Sequence, residues 1–421
     1  MRGGMAALAH AGLDQSFPEK GLTIPINRFR SCNGPHSLRA RVGAWLLIAA
    51  AASGAAFGCA GKPDAGPDAA AVKAHANAGY TPERRYQTTA LQDTWLIESE
   101  PVDVRLLIPA QTGSYPLVLY FPGLGESPDG GLAWRQSWAQ AGYAVLSAQP
   151  VKYGAAVWSS DRARVGDFLD IAKDAFAAPS LATRTGLARA LLDETWHRSR
   201  SAHATALGRI DMSRVAVAGY DLGAQTAMMI AGESVQGIEV LQVPEGVKCV
   251  LALSPYADFS GMGMESNFIS IRLPVLSVTS AQDTDAYGLV KSAAVRRAPY
   301  QYMPANQKYL LVLSGAPHSL LAGSAVPAQG SPESGSETEA EPGLMSEKPS
   351  GSDESRGHKK RQGASSTTQA SSAQRAMEVA QVQSVTTAFL DATVKNDPIG
   401  SEWLSRNAQR WLGESADLRS K

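Results

Sequence analysis

One stretch near the middle of the chain constrains its fold more than any other: Val215-Ala216-Val217-Ala218-Gly219-Tyr220-Asp221-Leu222-Gly223-Ala224. An apolar strand-like run enters a Gly-x-Asp-x-Gly turn and leaves into a helix opening with Gln225, Thr226 and Ala227. A turn this tight has no room for side chains beside its tip, which is why Gly219 and Gly223 flank Asp221. The start of the following helix offers free N–H groups that stabilise an anion. Strand, turn and helix together therefore present Asp221 as a reactive carboxylate at the end of a strand.

The flanking sequence repeats the same rhythm. Apolar runs at 104–108, 117–121, 144–147, 215–218, 249–253, 275–278 and 309–313 read as strands. Helical spacing appears around 132–141, 167–177, 185–194 and 223–232. Continuous apolar runs suit strands covered on both faces. Alternation with helices predicts an α/β fold, a doubly wound and mostly parallel sheet with helices on both faces.

Two further loops bear on chemistry. After the run at 275–278 comes Gln282-Asp283-Thr284-Asp285, and after the run at 309–313 comes Gly315-Ala316-Pro317-His318. Nucleophile, acid and histidine in that chain order make Asp221, Asp283 and His318 the candidate catalytic residues. Asp283 is preferred to Asp285 because it stands where the loop first leaves the sheet. At the end of an early strand, Phe121-Pro122-Gly123-Leu124-Gly125-Glu126-Ser127 forms a glycine-rich loop. The N–H groups of Leu124 and Leu222 are the candidate oxyanion-hole donors, with Gly123 letting the backbone approach. Trp134, Trp138, Trp158 and Tyr256 are candidates for an apolar pocket, although aromatic residues of this kind more commonly fill a core.

The ends of the chain differ in character. Residues 1–41 form an extension without pattern. Arg39 and Arg41 then precede an uncharged apolar stretch at 42–59 that closes on Ala56-Phe57-Gly58-Cys59. This predicts an export signal with a lipobox-like end, Cys59 being the candidate lipidation site and membrane anchor. An exported, cell-envelope or secreted location follows. Residues 60–84 are rich in Ala, Gly, Pro and Asp and read as a flexible linker to a domain spanning 85–323. Residues 324–373 hold almost no branched apolar or aromatic side chains and read as a disordered insertion. Helical spacing returns over 374–412, where a short terminal helix carrying Trp403, Leu404 and Trp411 is expected to pack back on the sheet edge.

Composition removes several functions. Among 421 residues, Lys plus Arg and Asp plus Glu both number 39, and no basic stripe suggests nucleic-acid binding. The three cysteines, Cys32, Cys59 and Cys249, have no metal spacing, and Cys249 reads as a buried strand thiol. No phosphate loop or dinucleotide fingerprint is present, so no cofactor is implied.

From about Tyr80 onward, the segments LVLYFPGLGES, VAVAGYDLGAQTAM, LPVLSVTSAQD, LLVLSGAPHS and TTAFLDATVKND resemble the α/β-hydrolase superfamily. The nearest likeness is to its dienelactone-hydrolase and platelet-activating-factor-acetylhydrolase-like esterases. That resemblance implies an α/β-hydrolase fold and a small-molecule or lipid-like ester substrate. Relatives carry serine or cysteine at the turn and His-Gly in the early loop, where this chain has Asp221 and Pro122. A carboxylate attacking an ester carbonyl would give a mixed anhydride, whereas attack at a saturated carbon gives a stable alkyl ester. The second path is that of haloalkane dehalogenases and epoxide hydrolases, though Leu222 stands where they commonly carry tryptophan. A hydrolase-fold binding protein without activity is the third expectation.

Overall fold

The computed structural model describes residues 69–201, 205–257, 263–324 and 362–421, all within one unit, Gly61–Lys421. Cys32, the apolar stretch at 42–59 with Cys59, and residues 325–361 of the predicted insertion lie outside the described residues. The strands in chain order are β1 (Thr88–Ile97), β2 (Glu100–Pro109), β3 (Tyr115–Phe121), β4 (Ala144–Pro150), β5 (Ile210–Tyr220), β6 (Val247–Leu253), β7 (Val275–Gln282), β8 (Lys308–Pro317) and β9 (Ala416–Ser420). They form one sheet in the order β1-β2-β4-β3-β5-β6-β7-β8-β9. The block from β4 to β8 is parallel throughout. Strands β1 and β2 at one end and β9 at the other run antiparallel to their neighbours.

The principal helices are α1 (Ala69–Ala78), α2 (Leu132–Gln140), α3 (Asp161–Arg164), α4 (Phe168–Phe176), α5 (Ala178–Ser201) and α6 (Leu222–Ile230). They are followed by α7 (Met264–Phe268), α8 (Ala298–Tyr302), α9 (His318–Leu321), α10 (Gln362–Val394), α11 (Pro398–Glu402) and α12 (Ala408–Leu412). Helices cover both faces, and alternate side chains of each strand show why. Leu117, Leu119, Val215 and Val217 pack with Leu187 and Leu191 of α5 and with Ala224, Ala227 and Met228 of α6. Val118, Tyr120, Ala216 and Ala218 pack with Trp134 and Trp138 of α2 and with Val382, Val385 and Phe389 of α10. Each fully buried Leu, Val or Phe contributes about 1.5–3 kcal/mol, so a strand buried on both faces is anchored twice over. The α/β arrangement with a mostly parallel sheet follows the sequence pattern closely.

Three elements depart from it. Residues 69–78, expected to be linker, form α1, which docks through a His75–Trp411 ring stack at 4.4 Å and a hydrogen bond from Trp411 Nε1 to the His75 carbonyl at 3.0 Å. Residues 362–373, expected to belong to the insertion, are the first turns of α10. Helix α10 lies over a sheet face, the terminal helix α12 packs beside the edge strand β9, and β9, absent from the sequence reading, covers the edge of β8, pairing Leu313 with Ala416 through Tyr309 with Ser420. Among the described residues no helix is long and apolar enough to cross a membrane.

Because β3 and β5 to β8 are parallel, the loops that leave their carboxyl ends share one edge of the sheet. Those loops carry Leu124, Asp221, Ser254, Asp283 and His318. The segment from α3 to α5 and the loop after β7 rise over the same edge.

Candidate active site

Asp221 sits between β5 and α6 with φ 51° and ψ −109°, a left-handed conformation for a residue that is not glycine. Such backbone strain costs about 1–3 kcal/mol and persists only where the surroundings enforce it. Here the enforcement is backbone against backbone. A Cβ on Gly219 would overlap the Gly223 carbonyl group, and a Cβ on Gly223 would overlap the Phe121 carbonyl. The two glycines thus allow α6 to lie directly on the ends of β5 and β3. The Asp221 N–H donates to the Leu253 carbonyl at 2.9 Å, which ties the turn to β6.

His318 opens α9 at the end of β8 and bridges the two aspartates. Its Nδ1 lies 2.7 Å from Asp283 Oδ1, and its Nε2 faces Asp221 Oδ1 at 3.8 Å. The Tyr220 ring packs 5.1 Å from the imidazole, and its hydroxyl donates to the His318 carbonyl at 3.1 Å. The structure therefore brings the three residues singled out in the sequence to one place. Asp285 is turned away: its carboxylate accepts the N–H groups of Tyr287, Leu289 and Val290 and so shapes the loop.

Asp283 is fully buried and richly partnered. Ser254 Oγ donates to it at 2.5 and 2.6 Å, Thr279 Oγ1 at 2.7 Å, and Arg296 Nε stands 3.1 Å from Oδ1. Burial alone would raise its carboxyl, but the His318 hydrogen bond and the Arg296 charge hold it below the usual range. Asp221 has fewer partners. Burial pushes its carboxyl up, opposed by His318 and by Arg296, whose Nη2 lies 3.8 Å from Oδ1. Arg296 is itself wholly buried and also donates to the Ser254 carbonyl at 2.8 Å. One guanidinium thus balances both aspartates.

The early loop explains how a donor is left free. Gly123 N–H donates to Glu126 Oε2 at 2.7 Å, Gly125 N–H to the Tyr153 carbonyl at 2.8 Å, and Glu126 N–H to the Gly123 carbonyl at 3.2 Å. Gln149 at the end of β4 pins the loop, its side-chain amide donating to the carbonyls of Gly123, Glu126 and Tyr153 at 2.8, 3.0 and 3.2 Å. Among the described residues the Leu124 N–H has no acceptor, and neither does the Leu222 N–H at the start of α6, where a helix leaves its first donors unpaired. Both residues named as oxyanion-hole donors keep an N–H available.

An apolar roof covers these groups. The side chains of Leu124 and Leu222 cluster with Ala163, Ile171, Ala172, Ala175 and Phe176, and partly buried Tyr153, Trp158, Tyr256 and Tyr287 pack on them. Trp158 stacks on Tyr287 at 5.1 Å, and Phe176 meets Tyr256 at 4.8 Å. Of the four aromatics suggested for a pocket, Trp158 and Tyr256 belong to this roof. Trp134 and Trp138 lie in the core on the α2 and α10 side, donating to the Leu321 carbonyl and to Thr386 Oγ1. Sequence reasoning also passed over Arg296, Ser254, Thr279, Gln149, Glu126 and Tyr287. Glu126 and Thr279 carried a signal, because each lies within a segment already singled out.

Among the described residues no group of three His, Cys, Asp or Glu side chains is placed to hold a metal ion. No protein-family model matches the chain, and no curated protein matches it.

Proposed function

We propose that this protein is a hydrolase of uncharged, apolar substrates in which Asp221 is the nucleophile and His318, oriented by Asp283, activates water. One observation carries the reading. With the Nδ1 hydrogen directed at Asp283 2.7 Å away, Nε2 is the imidazole atom left to face Asp221, whose Oδ1 lies 3.8 Å from it. That distance is too long for a direct hydrogen bond and leaves room for a water that donates to both. A water held there would stand beside the carboxyl carbon of Asp221, with His318 Nε2 as the acceptor of its proton. The histidine is therefore arranged to act on water and not on the turn residue, unlike the arrangement a serine at this position requires.

The strained turn supports Asp221 as nucleophile, since a residue serving only as a second base has no need of such a position. Attack at a saturated carbon displaces its leaving group and forms an alkyl ester on Asp221. Water then adds to the ester carbonyl, and the N–H groups of Leu124 and Leu222 receive the oxyanion. The strand order, with an antiparallel β2 beside a parallel block, supports the α/β-hydrolase fold as the frame for this chemistry. Ester substrates, the class the sequence resemblance implies, are the second reading. They would be hydrolysed by the same bridging water attacking the substrate carbonyl in the same donor pair, and the two unpaired N–H groups favour it. The apolar run at 42–59 places the enzyme outside the cytoplasm in this proposal, with Cys59 as a lipid anchor. Labelled palmitate incorporated into the wild type and lost in Cys59→Ser tests that part; labelling of both would count against it.

A single turnover in heavy-oxygen water separates the routes. With a small aryl epoxide, the covalent route puts the label on Asp221 and leaves the first product unlabelled. With an activated aryl ester, direct water attack puts the label in the product at once. Asp221→Asn abolishes the covalent route, a loss of about 10⁴-fold or more on the scale of nucleophile deletions. A wild type without turnover on either probe would leave a binding protein.

A further inference from the structure

Glu126 is a second carboxyl, in the loop that carries the Leu124 donor and within range of the Asp221 and His318 charges, that the steps above do not use. It lies two residues after the Leu124 donor, and its Oε2 is held on the N–H of Gly123 at 2.7 Å. A Cβ on Gly123 would stand 2.8 Å from the Tyr220 ring and 3.3 Å from Glu126 Oε2, so the carboxyl occupies the corner where Tyr220 leans on His318. Beneath it, Arg135 from α2 clamps the same turn by donating to the carbonyls of Asp129 and Gly130, each at 2.8 Å. Arg135 Nη1 and the Tyr120 hydroxyl are buried there with no partner among the described residues.

We propose that Glu126 is the proton donor to a leaving oxygen, which makes the substrate an uncharged epoxide rather than an alkyl halide. The inference rests on Asp221 being the nucleophile. A departing halide would carry its full charge into a corner that already holds two carboxyls. A departing oxygen is neutralised by taking a proton there. Burial pushes the Glu126 carboxyl up to about 7, with the Asp221 charge adding to the rise and the Gly123 N–H, His318 and Arg135 opposing it. A carboxylate that served only to accept the Gly123 N–H would rest as the anion. The other groups facing it are the hydroxyls of Tyr120, Tyr220 and Tyr287, all raised by burial and by the neighbouring carboxylates.

The protons balance through a full cycle. Asp221 attacks a ring carbon, the ring C–O bond breaks with its electron pair going to oxygen, and that oxygen takes the proton of Glu126. His318 then accepts a proton from water as hydroxide adds to the Asp221 carboxyl carbon. Collapse breaks the bond to the alkyl oxygen, which takes the proton from His318 and departs as a diol. Asp221, left protonated, returns its proton to the Glu126 carboxylate.

The test is made on full-length protein carrying His318→Gln, so that alkylation of Asp221 accumulates and is read by mass. Styrene oxide and phenacyl bromide are the two probes, since bromide leaves without a proton. Adding Glu126→Gln, which keeps an acceptor for Gly123 N–H, is expected to lower the ratio of epoxide to bromide alkylation rates by about 100-fold. Epoxide alkylation should also fall above pH 7 with Glu126 present and lose that alkaline fall in its absence. An equal slowing of both probes assigns Glu126 a structural part and overturns the proposal. So does a split of the probes by Tyr287→Phe and not by Glu126→Gln. Failure of both probes to alkylate Asp221 in the His318→Gln protein removes the nucleophile reading itself, and this inference with it.

Discussion

Replacing His318 with glutamine is expected to stop turnover after its first step and leave one alkyl group on Asp221 of each chain. On the proposed route attack by Asp221 needs no base, because a carboxylate is itself a nucleophile and Arg296 lies 3.8 Å away to balance its charge. Release needs a base, since water must lose a proton beside the ester carbonyl. Among the described residues His318 Nε2 is the base that faces Asp221, at 3.8 Å, and its orientation depends on the 2.7 Å contact of Nδ1 with Asp283. Loss of a general base typically costs 10²–10⁴-fold, so multiple turnover should fall by about that factor while a stoichiometric adduct builds up. Intact-protein mass followed by peptide mapping reads the result. A variant that hydrolyses an epoxide at the wild-type rate, or stalls with no adduct on Asp221, would refute the assignment of His318.

The second large effect concerns stability. Arg296→Leu removes the cation that lies 3.1 Å from Asp283 and leaves a fully buried carboxylate without its charge partner. Breaking a buried ion pair by removing one member costs about 3–5 kcal/mol, a large part of the stability of an ordinary domain. The sign with pH follows from Asp283, whose carboxyl is held below its usual value in the folded protein. Its stabilising share is present above the unfolded carboxylate range, about 3.9, and is lost as pH falls through the lower folded value. Without Arg296 that carboxyl rises, so the gap in urea midpoint between wild type and variant should narrow as pH drops below about 4. A gap that stays constant down to pH 3 would show that Arg296 acts through packing alone. Pairing Arg296→Leu with Asp283→Asn should recover part of the loss, because no charge is then stranded.

The elements that could be recognised from sequence are those whose side chains report their surroundings. Strand β3 is buried at every position, and its unbroken apolar run says so. Strand β1 escaped notice because an edge strand buries little: of its ten residues only Trp95 and Ile97 are buried, and Leu91 and Leu96 face solvent. Strand β9, Ala-Asp-Leu-Arg-Ser, is still more polar and exists because the free edge of β8 accepts it. Helix α1 is set by docking against Trp411, a contact between positions hundreds of residues apart that no local pattern encodes. In the site, Asp221, Asp283 and His318 were legible because each follows a recognisable strand. Arg296 and Gln149 each act through several contacts that only the fold brings together, and neither sits in a motif. Glu126 differs, since its loop was noticed for its glycines while the hydrogen bond that ties its carboxyl to Gly123 depends on the fold.

The tip of the turn between β5 and α6 carries no hydroxyl or thiol, and this has a consequence for how the protein can be found. Fluorophosphonate reagents, which report hydrolases by phosphonylating an activated serine, have nothing at this position to label. Reagents that alkylate carboxylates at an electrophilic carbon suit it instead, and aryl or alkyl epoxides bearing a reporter group are the natural choice for surveying proteins built in this way.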